Sequence, residues 1–204
     1  MSDGIRTSVR LRFCYFSFLF ALPVLGCTNF HEVAPGHFYR SGQLTSRQLH
    51  QAIDRHGIRT VINLRGADPG ERWYEAQRQA CAERGVTHHD LSMSARRIPH
   101  KHELCSLLQL LQEAVPPVLV HCRGGSDRTG LAAALWVLER DGSKRKARQQ
   151  LSERYFHFQR LSPAQRYFLR RYQGATWARE VYDPCGLGLR YYGDHYCQQH
   201  VCQK

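Results

Sequence analysis

Between residues 57 and 138, short apolar runs alternate with longer stretches in which apolar positions recur every three or four residues. The runs Thr60 to Leu64, Val86 to Leu91 and Pro117 to Val120 predict strands. Ser46 to Arg55, Glu71 to Arg84 and Glu103 to Ala114 predict amphipathic helices, and Leu131 to Leu138, rich in strong helix formers, predicts another. Strands alternating with helices imply an α/β fold, a mostly parallel central sheet flanked by helices. Lys144 to Arg148 is the exposed face of a helix that also carries Ala147 and Leu151, and Arg154 to Phe158 reads as core packing. Ser162 as a cap and Pro163 in the first turn predict the last helix of the domain over 162–172.

The third strand runs into His121-Cys-Arg-Gly-Gly-Ser-Asp-Arg-Thr-Gly130, so a cysteine lies six residues before an arginine in a loop that opens a helix. Successive amides at a helix start, with the positive end of its dipole, converge on an anion, which makes Arg123, Gly124, Gly125, Ser126, Asp127 and Arg128 a phosphate cradle. The two glycines allow the tight curvature. The same field favours the thiolate of Cys122, the form that attacks. The planar fork of Arg128 suits two oxygens of a phosphoryl group. Thr129 places a hydroxyl beside the sulphur, and His121 orients the loop rather than acting as a base.

These ten residues match every fixed position of His-Cys-x-x-Gly-x-x-Arg-Ser/Thr-Gly, and the chain thereby resembles the cysteine-dependent phosphatases of the dual-specificity and tyrosine type. Phe38 to Gln43, Gly57 to Arg65 and Gly85 to Leu91 look like the strands that precede the signature in bacterial members, so the resemblance covers about residues 30 to 175. It implies the family fold, hydrolysis of phosphomonoesters through a phosphocysteine, and no metal or other cofactor. Protein phosphotyrosine is the first substrate implied. A phosphoinositide or inositol phosphate is the alternative, and a phosphate-binding module without turnover is the second.

The family also carries an aspartate some thirty residues before the cysteine, which protonates the leaving oxygen. Here that region reads Asp90-Leu-Ser-Met-Ser-Ala-Arg-Arg-Ile-Pro-His100. Asp90 has nearly the spacing but falls inside a predicted strand. Asp127 is the preferred candidate, because a Gly-x-Asp-Arg-Thr arrangement resembles the loop of phosphoinositide phosphatases such as the myotubularins. His100, His102 and Glu103 follow as weaker options.

At the amino terminus Arg6, Arg10 and Arg12 precede an apolar run from Phe13 to Leu25, which ends in Val24-Leu-Gly-Cys27. This order is that of an export signal, and its roughly thirteen apolar residues fall short of the roughly twenty that span a bilayer. Val24, Gly26 and Cys27 resemble a lipoprotein box, with Cys27 as the lipid acceptor; ordinary cleavage and an uncleaved anchor are the alternatives. The expected organisation is an export segment over 1–27, a phosphatase domain over 28–176 and a cysteine-containing tail over 177–204. The expected location is exported and membrane-associated.

An oxidising compartment permits disulfides among Cys81, Cys105, Cys185, Cys197 and Cys202. The tail concentrates three of these and reads as holding a bridge, with zinc binding as the minority alternative. The histidine pairs His88-His89 and His100-x-His102 read as solvated. Without residues 1–27 the chain loses three arginines and one aspartate, so the net charge falls from +12 to +10. That excess suits phosphorylated substrates or anionic membrane surfaces, and no nucleic-acid-binding motif accompanies it.

Overall fold

In this computed structural model, which describes residues 28–193, β1 (His31–Ala34), β2 (Phe38–Ser41), β3 (Thr60–Asn63), β4 (Thr87–Asp90) and β5 (Val118–His121) form one sheet in the order β1-β2-β5-β3-β4. β1 runs antiparallel to β2, and the other three pairings are parallel. β5 is the central strand and all four of its residues are buried.

Alternation along each strand sends side chains to two cores. Phe38, Ile62, Val118 and Val120 join α3 (Lys101–Glu113), α4 (Asp127–Asp141) and α6 (Pro163–Leu169) on one face, while Tyr39, Val61 and Leu119 meet α1 (Ser46–His56) and α2 (Arg72–Glu83) on the other. α1 is closed at its start by Thr45 and Gln48 in a capping box and at its end by Gly57 in the left-handed region. α4 is nearly all buried, which explains its run of alanines: helices and strand pack against it closely from several sides. A short α5 (Lys144–Gln149) and a 3₁₀ turn (Glu153–Tyr155) lead to α6.

Most described elements keep to within about two residues of the predicted ones, but α4 starts four residues before Leu131 and ends three after Leu138, β1 was not predicted, and three further differences appear. The helix opened by Ser162 stops at Leu169 and is followed by α7 (Ala175–Glu180), so it is not the last. The boundary expected at 176 falls inside α7, and Ala178, Tyr182 and Tyr192 join the main core. In Arg154 to Phe158 only Tyr155 and His157 are buried, because a left-handed Phe156 (φ 58°) turns the chain and leaves Phe156 and Phe158 half in solvent.

The export segment with Cys27, and Cys197 and Cys202 of the tail, lie outside the described residues. Cys185 is disulfide-bonded, whereas Cys81, Cys105 and Cys122 are free thiols. Among the described residues no helix is long and apolar enough to cross a membrane, and no group of histidines, cysteines and carboxylates could hold a metal ion.

Leu107 of α3 is fully buried in the larger core. Leu107→Ala is expected to cost about 2–5 kcal/mol of stability, read as a lower urea midpoint with an unchanged slope.

Candidate active site

β5 delivers Cys122 to the carboxyl end of the parallel strands, where ligands bind in open α/β sheets. The loop that follows is shaped from outside, through its carbonyls. The Arg123 carbonyl accepts from the Gln43 N–H at 3.0 Å, the Gly124 carbonyl from Asn29 Nδ2 at 3.0 Å, and the Gly125 carbonyl from Arg40 Nη2 at 2.8 Å. Peptide planes pinned this way turn their N–H groups to the inner side. There the Gly125 N–H donates to Cys122 Sγ at 3.3 Å. Ser126 stands at the N-cap position of α4 without a side-chain capping bond, and Asp127 and Arg128 occupy its first turn.

Arg40 is fully buried, and it anchors the wall of this loop. Its Nη1 donates to the Gln150 carbonyl at 2.7 Å and to Gln150 Oε1 at 2.9 Å, and its guanidinium lies 3.9 Å from the Tyr155 ring centroid. Burial lowers its pKa to about 10, with the nearby Cys122 acting in the opposite direction, so it stays charged at neutral pH. No described carboxylate forms an ion pair with it. Arg128 donates from Nη1 to the Leu64 and Met93 carbonyls at 3.2 and 3.4 Å, while its buried Nε has no partner. Buried donors are normally satisfied, and an oxyanion in the loop is the group this N–H suits. Arg65, after β3, donates to Gln43 Oε1 at 2.9 Å and covers Trp73 at 3.3 Å. Its pKa is lowered by burial first and then by the positive charges of Arg128 and Arg123, which places three guanidiniums around the loop.

The candidate acids separate sharply. Asp90 closes β4, where Oδ1 accepts from Asn63 at 2.7 Å and Oδ2 from the Tyr74 hydroxyl at 2.6 Å. Its strand is two removed from β5, roughly 10 Å sideways. Both oxygens therefore have partners at the sheet edge, and among the described residues neither bonds to the loop after Cys122. Glu103 makes a two-bond ion pair with Arg97 at 2.6 and 2.9 Å and accepts from the His100 N–H, so it and His100 serve the start of α3. His102 is exposed and stacks on His100. Asp127 alone of the candidates lies in the loop, and its Oδ1 is 2.7 Å from Nδ1 of the fully buried His157.

Two further expectations change. The Thr129 hydroxyl donates to the Ser41 carbonyl at 3.4 Å instead of to the sulphur, because β2 packs against the first turn of α4. His88 is half-buried and meets Gln77 at 2.7 Å, inside a polar chain that continues through Gln43 to Arg65. His121 is buried and, as expected of an orienting residue, its Nδ1 lies 3.4 Å from the Cys122 carbonyl. Asn29, Arg40, Gln43, Arg65 and His157 carry the site's support and were not singled out from the sequence. The one available signal was Arg40 itself, a charge at a core-facing position of a short strand.

Burial pushes the pKa of His121 down to about 4 from its ordinary 6.5, and it lowers those of His31 and His88. Unfolded chains bind these protons near 6.5 and the folded chain binds them at lower pH. Stability is therefore complete above about pH 6.5 and is lost as pH falls toward 4, by roughly 3 kcal/mol for His121. Urea midpoints at pH 7 and pH 4.5 should show this loss, and it should shrink in His121→Gln.

Gly125 has φ +72°, and a Cβ there would lie 2.5 Å from the Gly42 nitrogen and 2.6 Å from the Ser41 carbonyl carbon. Gly125→Ala is expected to displace the loop from β2, with loss of phosphate binding greater than the loss of stability, as measured by titration with inorganic phosphate and by thermal melting.

The sequence profile of the tyrosine phosphatase family matches residues 25–146, more than half of the chain. Human dual specificity protein phosphatase CDC14C is 29% identical over 89 residues, which cover 44% of this chain and 18% of that protein. The match thus spans less than a fifth of the curated relative's length. Among solved structures, TpbA of P. aeruginosa aligns with a TM-score of 0.59 at 24% identity over 74% of this chain and 89% of that one. The core catalytic domain of the PP-IP phosphatase SIW14 from S. cerevisiae aligns with a TM-score of 0.53 at 18% identity over 85% and 93%. These two structures share the fold, and TpbA has also been solved in complex with pTyr.

Proposed function

The chain belongs to the tyrosine phosphatase family, and from that premise we propose that it hydrolyses phosphomonoesters, phosphotyrosine in protein first, through a phosphocysteine on Cys122. The observation that carries this is the loop whose Arg123, Gly124 and Gly125 carbonyls are tied outward while an amide meets Sγ and the buried Arg128 Nε has no partner among the described residues. The thiolate attacks phosphorus, the P–O bond to the leaving group breaks, and the leaving oxygen takes a proton from Asp127. Water then attacks the phosphocysteine and gives its proton to Asp127, which releases inorganic phosphate and restores the thiolate. Loop amides and Arg128 stabilise the charge spread over the equatorial oxygens. His157 holds Asp127 at the loop as a positioning residue.

A phosphoinositide or inositol phosphate is the second substrate class, supported by Arg65 and Arg123 beside Arg128, which make the rim more cationic than one phosphate requires. A binding module without turnover is distinguished from both by whether a phosphocysteine can be trapped. The basic and apolar order of residues 6–27 supports an exported protein tethered to a membrane through Cys27. Mass spectrometry of the mature amino terminus tests that location, and an unmodified Met1 overturns it.

Cys122→Ser is expected to lower turnover of p-nitrophenyl phosphate by about a thousandfold or more while phosphate binding persists, and residual activity within tenfold of the parent overturns the assignment. Asp127→Asn should lose far more rate on alkyl phosphates than on p-nitrophenyl phosphate, because a poor leaving group needs the proton. Equal losses on both would make Asp127 structural.

A further inference from the structure

Behind the Asp127–His157 pair, the segment from the 3₁₀ turn to the start of α6 encloses an open cleft of about 1060 Å³. Arg154, Arg160 and Arg166 line it, with Glu153 as the carboxylate and the half-exposed ring of Phe158 beside them. Neither Arg160 nor Arg166 has an ion-pair or hydrogen-bond partner for its guanidinium among the described residues. Arg154 is occupied only in part, 5.6 Å over the Tyr155 ring. The cleft adjoins the catalytic loop through its own wall, since His157 lines it and bonds Asp127 at 2.7 Å.

We propose that this cleft is a second phosphate subsite, which holds a phosphoryl group that is not cleaved while the scissile one sits on Cys122. The proposal rests on the phosphatase assignment and specifies its substrate as a ring that carries more than one phosphate. Charge decides between phosphate and carboxylate. Three guanidiniums against Glu153 leave two positive charges, which match one phosphomonoester at neutral pH, about −1.5 to −2, and exceed a single carboxylate. Guanidinium forks also suit phosphate oxygens in bidentate geometry. Phe158 gives the ring an apolar surface to lie against.

The ring can be free in solution or be the headgroup of a lipid, and the two sources are separated by experiment. Arg160→Ala combined with Arg166→Ala, and separately the exposed Arg160→Glu, are assayed in the full chain on p-nitrophenyl phosphate and on inositol 1,4,5-trisphosphate. A parallel arm uses phosphatidylcholine vesicles containing phosphatidylinositol 4,5-bisphosphate. Arg154 is left intact because it lies against the ring that supports Arg40. The expected result is at least tenfold more loss of kcat/KM on the polyphosphates than on p-nitrophenyl phosphate, carried mainly by KM. Loss confined to the soluble substrate, or to the vesicles, supports the subsite and identifies its source. Equal losses on all substrates, no loss on any, or a selective loss on a doubly phosphorylated peptide alone overturns it. Failure of the unsubstituted chain to cleave p-nitrophenyl phosphate instead overturns the phosphatase assignment. In that case the subsite is judged by calorimetric titration of inositol 1,4,5-trisphosphate, in which binding insensitive to both variants overturns it.

Discussion

The site depends on the outward tethering of three carbonyls, those of Arg123, Gly124 and Gly125. A loop that must present amides to an anion turns its carbonyls the other way, and buried carbonyls need partners. Arg40 of β2, the Gln43 N–H just after it and Asn29 ahead of β1 provide them. Arg40 is the costly member, a buried cation with no carboxylate beside it among the described residues. Its three hydrogen bonds from Nη1 and Nη2 and its stacking on Tyr155 recover part of that cost, and the nearby Tyr155 and Cys122 act in favour of its charge. The close approach depends on small residues. A Cβ on Gly130 would sit 2.7 Å from the Leu151 side chain and 2.9 Å from the Gln150 carbonyl, the same carbonyl that Arg40 binds.

A second polar chain runs along the carboxyl ends of the strands on the other side of β5. Arg65, Gln43, Gln77 and His88 are linked in sequence by bonds of 2.7–2.9 Å, and Asp90 ends the adjoining strand between Asn63 and Tyr74. This chain fixes Gln43, whose amide holds the catalytic loop, so residues far from the sulphur contribute to its geometry. Asp90 beside it is held by two short bonds at the sheet edge. Of the carboxylates singled out, the one beside the loop is Asp127, and His157 fixes its direction.

Strand, loop and helix around Cys122, the parallel sheet and the positions of Cys122, Arg128 and the cradle residues were legible in the chain by itself. Each of these is local: four-residue apolar runs, helix formers and a ten-residue signature interact within a short stretch of backbone. By contrast, Arg40 and Gln150 are 110 residues apart, Asn29 and Gly124 are 95 apart, and Asp127 and His157 are 30 apart. No local pattern reports a pairing of that kind. Whether Asp90 faces the sulphur or a strand neighbour, whether Thr129 bonds the sulphur or the Ser41 carbonyl, and how Arg154, Arg160 and Arg166 come to share one cleft depend on packing between distant segments. Only the tertiary structure decided these, because hydrogen bonds act over about 3 Å and sequence distance does not determine distance in space.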